Sequence, residues 1–220
     1  YICKKRIMGC DVHMFVEKYN DNTKSWEKVG EKFPDIYAVE KIIKFMIHHL
    51  GTTREESIEM VSKFLKGEKP KTKFEHYVLT DFLPKEVPTE NNGGSWWGNE
   101  GKLPYPFTDT PYQGRSYQLF GVLSGVMDTS MDSIVDWHRG LPDDMSQDIC
   151  TLTDEWGLDA HSHNHIYMDE IINSKYYKMS EKEREEIGLY SHFFSDSVNK
   201  ILDFVEGDPE DIRLVFWFDS

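Results

Sequence analysis

The stretch from Ile212 to Phe218 is strongly apolar, and it constrains this chain more than any other feature. A run of that length predicts a strand buried on both faces and therefore a central place in a sheet. A second strand is predicted from Val12 to Tyr19, which is rich in β-branched and aromatic residues. Asn20-Asp21-Asn22-Thr23-Lys24 then makes a turn, and Ser25 to Val29 returns as the other arm of a hairpin. Along the first arm, Asp11, His13, Phe15 and Glu17 share one face, while Val12, Met14, Val16 and Lys18 share the other. Both faces are apolar midway, which places this strand inside the sheet rather than at its rim.

Helical spacing fills much of the rest. Val39, Ile42, Ile43, Met46, Ile47 and Leu50 predict a helix over 37–50 that stops at Gly51, with His48 and His49 at its solvated end. Thr53 and Glu56 form a capping-box pattern that opens a second helix, ending near Gly67. Further helices are expected over 115–127, over 146–156 and, after a capping box at Ser180 and Glu183, from Ile187 to Val205. Prolines break the region 67–114, where Trp96 and Trp97 follow a glycine-rich turn as a lid, a stacking platform or part of the core. The expected fold is a single α+β domain. Its mainly antiparallel sheet includes the N-terminal hairpin and the C-terminal strand, helices pack on it, and residues 31–113 form a helical and loop-rich insertion.

Charge and cysteine usage narrow the partners. Against 25 basic residues stand 39 acidic ones, a net charge of −14 that is a poor footprint for nucleic-acid phosphates. Three cysteines without CxxC spacing suggest a reducing compartment. The basic residues before Met8 are too short for a signal peptide, and Met8-Gly9 reads as an internal start. No apolar run approaches the roughly 18 residues that span a bilayer. A cytoplasmic protein is expected.

Three of the nine histidines fall in Asp159-Ala160-His161-Ser162-His163-Asn164-His165. In an extended strand this spacing lines His161, His163 and His165 on one face, with Asp159 beginning the row. Asp11 and His13 repeat the same spacing near the other end of the chain. Asp11, His13, His161 and His163 make a mixed nitrogen and oxygen set suited to a divalent transition metal, zinc or manganese, with a position left for water. Asp159 or Glu170 is then placed to orient or deprotonate that water. Arg115 and Arg139, with Tyr117 nearby, suit a small anionic ligand. Together these residues point to hydrolysis of a small phosphorylated or nucleotide-like substrate. Two other readings stand beside it. The histidines can be satisfied partners in a buried hydrogen-bond network, or they can line a module that captures a nucleotide-like ligand, or a host protein, without chemistry. Cys10 is a poor nucleophile for His13, because the two face opposite sides of a strand.

Several strings together resemble a family of uncharacterised proteins from bacteriophages and bacteria that open with an "MGCDIH" string. They are Met8-Gly9-Cys10-Asp11-Val12-His13, Gly114 to Phe120, Arg139-Gly140-Leu141-Pro142, His161-Ser162-His163 and Leu214 to Asp219. The likeness is scattered over residues 8–219, with 31–105 outside it. It implies a phage or bacterial setting, and it marks Cys10, Asp11, His13, Arg115, Arg139, Asp159, His161 and His163 as residues to watch. His165 lies outside the pattern, and the resemblance brings no activity, cofactor or fold with it. If the protein is phage-encoded, its setting is the host cytoplasm.

Overall fold

The computed structural model describes residues 11–83, 104–112, 114–125, 131–135 and 139–219, without the side chains of 80–82. Cys10 and the Trp96-Trp97 pair lie outside the described residues. The chain forms two compact units: one from residues up to Phe33 together with Asp109 onward, the other Pro34–Thr108.

The first unit is built on a four-stranded sheet. In chain order its strands are β1 (Val12–Asn20), β2 (Ser25–Lys28), β5 (Ala160–Tyr167) and β6 (Ile212–Asp219). They lie in the order β2-β1-β6-β5, each pair antiparallel, and the apolar run occupies an inner position as expected. The fold class is α+β.

Alternation sorts the strand residues onto two faces. Met14, Val16, Ile166, Leu214, Phe216 and Phe218 point into the larger core. There they meet helices α4 (Tyr117–Ser124), α6 (Met168–Asn173) and α9 (Val198–Phe204). Phe15, Val215 and Trp217 point the other way, against Ile149, Leu152 and Trp156 of helix α5 (Gln147–Trp156). The Ser146 hydroxyl accepts the N–H of Ile149 at the start of α5, and Gly157, at φ 52°, ends it.

The helix expected from Ile187 to Val205 begins later than expected, at Phe193. Helix α8 (Glu181–Glu186), opened by the Ser180 capping box, stops before Gly188, which sits at φ 84°. A wider helical turn over Phe193–Ser197 then leads into α9. Ile187 and Tyr190 extend the apolar spacing of Phe193 to Val205 toward the N-terminus, but Gly188 in the left-handed conformation keeps that part out of the helix.

In the second unit, helix α1 (Ile36–Phe45) runs into a wider turn over Met46–Leu50, and α2 (Arg54–Leu65) starts from the expected Thr53–Glu56 capping box. Helix α3 (Lys73–His76) follows, and Ile42, Ile43, Met46, Met60, Val61 and Val78 form a small core of their own. Strands β3 (Phe33–Pro34) and β4 (Phe107–Thr108) form a separate two-stranded sheet.

The sheet of the first unit holds one buried ion pair. Glu17 and Arg213 stand opposite each other on β1 and β6 with no side-chain exposure, their charged atoms 2.7 Å apart. The other oxygen of Glu17 accepts the backbone N–H of Ser146 at 2.6 Å. Arg213 also reaches Asp144 at 2.6 Å and lies 4.0 Å over the ring of Trp26. Removing one partner strands the other charge in the interior. Urea unfolding of Glu17→Ala or Arg213→Ala is therefore expected to show a loss of about 3–5 kcal/mol, with the apolar double variant Glu17→Leu/Arg213→Met recovering most of it. Asp144→Asn, at a carboxylate that is mostly exposed, is expected to cost under about 1 kcal/mol.

Candidate functional site

The start of β1, the end of β6 and the start of β5 meet at one end of the sheet, because Val12 pairs with Phe218 and Ala160 with Asp219. The two histidine clusters therefore share a sheet end. There His13 Nε2 lies 3.2 Å from Asp219 Oδ2. The second oxygen of Asp219 accepts the backbone N–H of Asp11 at 2.8 Å. Asp11 in turn takes a two-pronged grip from Arg115, Nε to Oδ1 at 2.8 Å and Nη2 to Oδ2 at 2.9 Å. That guanidinium holds the Asp11 carboxyl below the usual carboxylate range. The His13 ring packs 4.0 Å from Trp156 and 6.2 Å from Trp217. His13 and Asp219 are each about one quarter exposed, so the pair is sheltered and still reachable.

The histidine row differs from expectation. Between His161 and Asn164 the β5–β6 register shifts: Ser162 and His163 together oppose Trp217. Ser162 adopts φ 54°, the left-handed conformation of a bulge residue. The extra residue breaks the period of two. His161 pairs with Phe218 and lies on the face of the larger core, its ring 6.2 Å from that phenylalanine. His163 falls on the opposite face, 5.8 Å from Trp217. His165, opposite Val215, shares that face but sits farther along the sheet, where its Nδ1 donates to Gly140 O at 2.8 Å. The expected single row is thus split across the sheet. Asp159 precedes the strand in a short turn, exposed.

The remaining expected residues are placed as follows. Arg139 and Glu170 bind each other through two contacts of 2.7 and 2.8 Å, and Arg139 also donates to His165 O. Glu170 accepts the N–H of Tyr167 as well. Burial works to raise its pKa, yet Arg139 prevails and holds it below the usual value. These groups clamp the 139–140 loop to β5 and α6, near the rung of Val215 rather than that of Trp217. Tyr117 packs edge-on to Phe120 and against the larger core.

Among the described residues, no group of three or more His, Cys, Asp or Glu side chains is gathered so as to hold a metal ion. Asp11, His13, His161 and His163 are not one cluster here: Asp11 is engaged by Arg115, and His161 lies across the sheet. Asp219, Trp156 and Trp217 were absent from the expected site. Asp219 was legible in principle, as the first polar residue after the apolar run, opposite the start of β1.

Compared with protein-family models, curated proteins and solved structures, the chain matches none of them. Among the described residues no helix is long and apolar enough to cross a membrane.

Two outcomes follow from this geometry. Ser162→Gly relieves the left-handed strain and is expected to raise stability by about 0.5–1 kcal/mol, whereas Ser162→Val is expected to lower it by about 1–2 kcal/mol; thermal melts of both variants check this. Burial, then the neighbouring His161, pushes the pKa of His163 below 6.5. Its ring proton is expected to titrate below that value by NMR. In that interval the unfolded chain binds more protons than the folded one, so this group makes stability rise with pH up to the unfolded His range and fall below it.

Proposed function

We propose that the His13–Asp219 end of the sheet is a hydrolytic site for a small phosphorylated or nucleotide-like substrate. The observation that carries this reading is the His13 Nε2 to Asp219 Oδ2 contact of 3.2 Å at an accessible edge, with the aspartate fixed by the Asp11 N–H. A carboxylate bonded to one imidazole nitrogen sets the tautomer and steadies the ring after it gains a proton. With Nε2–H donated to Asp219, Nδ1 is the basic nitrogen and takes a proton from an attacking water. Arg115 uses Nε and Nη2 on Asp11, and its Nη1 is the donor that remains for a substrate oxygen.

A metal-assisted form of the same chemistry rests on the same distance. Two donor atoms 3.2 Å apart stand at about the spacing of neighbouring ligands around an ion with bonds of about 2.0–2.1 Å. His13 and Asp219 would be the two residues to hold such a zinc or manganese ion, with no third described His, Cys, Asp or Glu gathered beside them, and the ion would supply a more acidic water. Capture of a nucleotide-like ligand without turnover, or of a host protein, is the non-catalytic reading of the same surface. The setting proposed with either is a bacterial cytoplasm, for the protein of a phage or of the bacterium itself.

Purified protein is assayed on phosphomonoesters, phosphodiesters and nucleotides, with and without added Zn²⁺ or Mn²⁺. Turnover is expected, with His13→Ala and Asp219→Asn each losing on the order of 10²–10⁴-fold while their melts stay near that of the parent. About one equivalent of bound metal, lost in His13→Ala, selects the metal-assisted form. Substrate recovered intact under every condition sinks the hydrolase and leaves the binding module.

A further inference from the structure

Helix α8 carries an arginine that the described residues around it leave half used. Arg184 is only 5 % exposed. One terminal nitrogen, Nη1, donates to the carbonyls of Tyr176 and Met179 at the end of helix α7 (Lys175–Lys178), and the guanidinium lies 5.8 Å over the ring of Phe194. Its Nε is buried without a partner, and Nη2 enters no hydrogen bond among the described residues. No described carboxylate stands within ion-pair distance of Arg184, in contrast to Arg115, Arg139 and Arg213, each of which is paired. Buried charges are ordinarily matched by an opposite charge, because the desolvation cost is otherwise uncompensated. Carbonyl dipoles and a ring face answer only part of it.

Arg184 lines a pocket of about 190 Å³ with Glu181, Glu185, Leu189, Tyr190 and His192. That is below the roughly 300–1,000 Å³ of drug-sized ligand sites and suits a small ligand. The rim is acidic. Glu181 lies 3.3 Å from His192 Nδ1 and is well exposed, and Glu185 is exposed too. A polyanion such as phosphate meets both glutamates and a chain of net charge −14, which disfavours it. A ligand with one carboxylate and one ammonium group meets complementary charge at both ends, the buried Arg184 and the exposed glutamates that line the same pocket. We propose that this pocket binds a small zwitterionic amino acid, its carboxylate on Arg184 and its ammonium toward Glu181 and Glu185. The proposal uses none of the residues around His13 and stands independently of the hydrolytic reading.

The test is an NMR titration of the isotope-labelled full chain with L-alanine, and separately with acetate and with ethylamine. The amides of Leu189 to His192 report the site. Saturable shifts are expected with alanine, and binding roughly tenfold weaker with either half-molecule. The double variant Glu181→Gln/Glu185→Gln changes only exposed side chains and is expected to weaken alanine binding roughly fivefold or more without weakening acetate. Arg184→Lys is expected to weaken both alanine and acetate; if that buried substitution prevents folding, the glutamine variant still decides. Either the absence of saturable shifts at about 50 mM alanine, far above a Kd near 1 mM, or acetate binding as tightly as alanine with no effect of the glutamine variant, overturns the proposal.

Discussion

The Glu17–Arg213 pair is the constraint on which the first unit depends. Both side chains have no exposure, and neither charge is tolerable there without the other. They stand directly opposite on β1 and β6, so their pairing selects one register out of those that two apolar strands could adopt. A slip by one residue turns every side chain to the other face. In the observed register Met14 and Val16 enter the larger core, while Phe15 and His13 face Trp217 and α5. The same pair reaches beyond the strands. Glu17 holds the N–H of Ser146 and Arg213 holds Asp144, which anchors the segment leading into α5. Trp156 stands at the far end of that helix, against His13. A charge pair toward the opposite end of the β1–β6 ladder thus helps determine what sits over the His13 end.

Much of the scaffold was legible because local chemistry and tertiary structure agree there. The N-terminal hairpin, the inner C-terminal strand and the capping boxes at Thr53 and Ser180 all carry their own signals, periodicity in one case and hydroxyl–carboxylate spacing in the other. The bulge at Ser162 carries none. A left-handed residue in a strand is usually signalled by glycine or asparagine, and here serine occupies it. Alternating histidines in the sequence therefore implied one face, while the extra residue sends His161 and His163 to two. Long-range pairing was equally hidden. Asp11 and Arg115 are 104 positions apart, and His13 and Asp219 are 206 apart, so no spacing rule joins them. The arginines illustrate the limit. Their forked shape suits an external anion, but Arg139 is spent on Glu170, and only the fold shows that.

The electrostatics of the sheet end decide between forms of the proposed chemistry. Two carboxylates, Asp11 and Asp219, face one guanidinium, Arg115, so the ledge carries surplus negative charge before any substrate arrives. An anionic substrate approaching a chain of net charge −14 meets that surplus, most strongly at low salt. Two events would offset it at the same place. A proton on His13 would offset Asp219 across 3.2 Å, and a divalent ion held by the same two residues would do so with one charge to spare. Burial, then the neighbouring His161, lowers the pKa of His163, so its ring on that face favours the neutral form. The proton alone leaves the ledge close to neutral, whereas the ion makes it attractive to a phosphate. For a phosphorylated substrate charge alone would favour the metal-assisted form, but the described residues gather only two protein donors for an ion there, whereas the proton-only form needs no further ligand and suits substrates with less charge at the reacting centre.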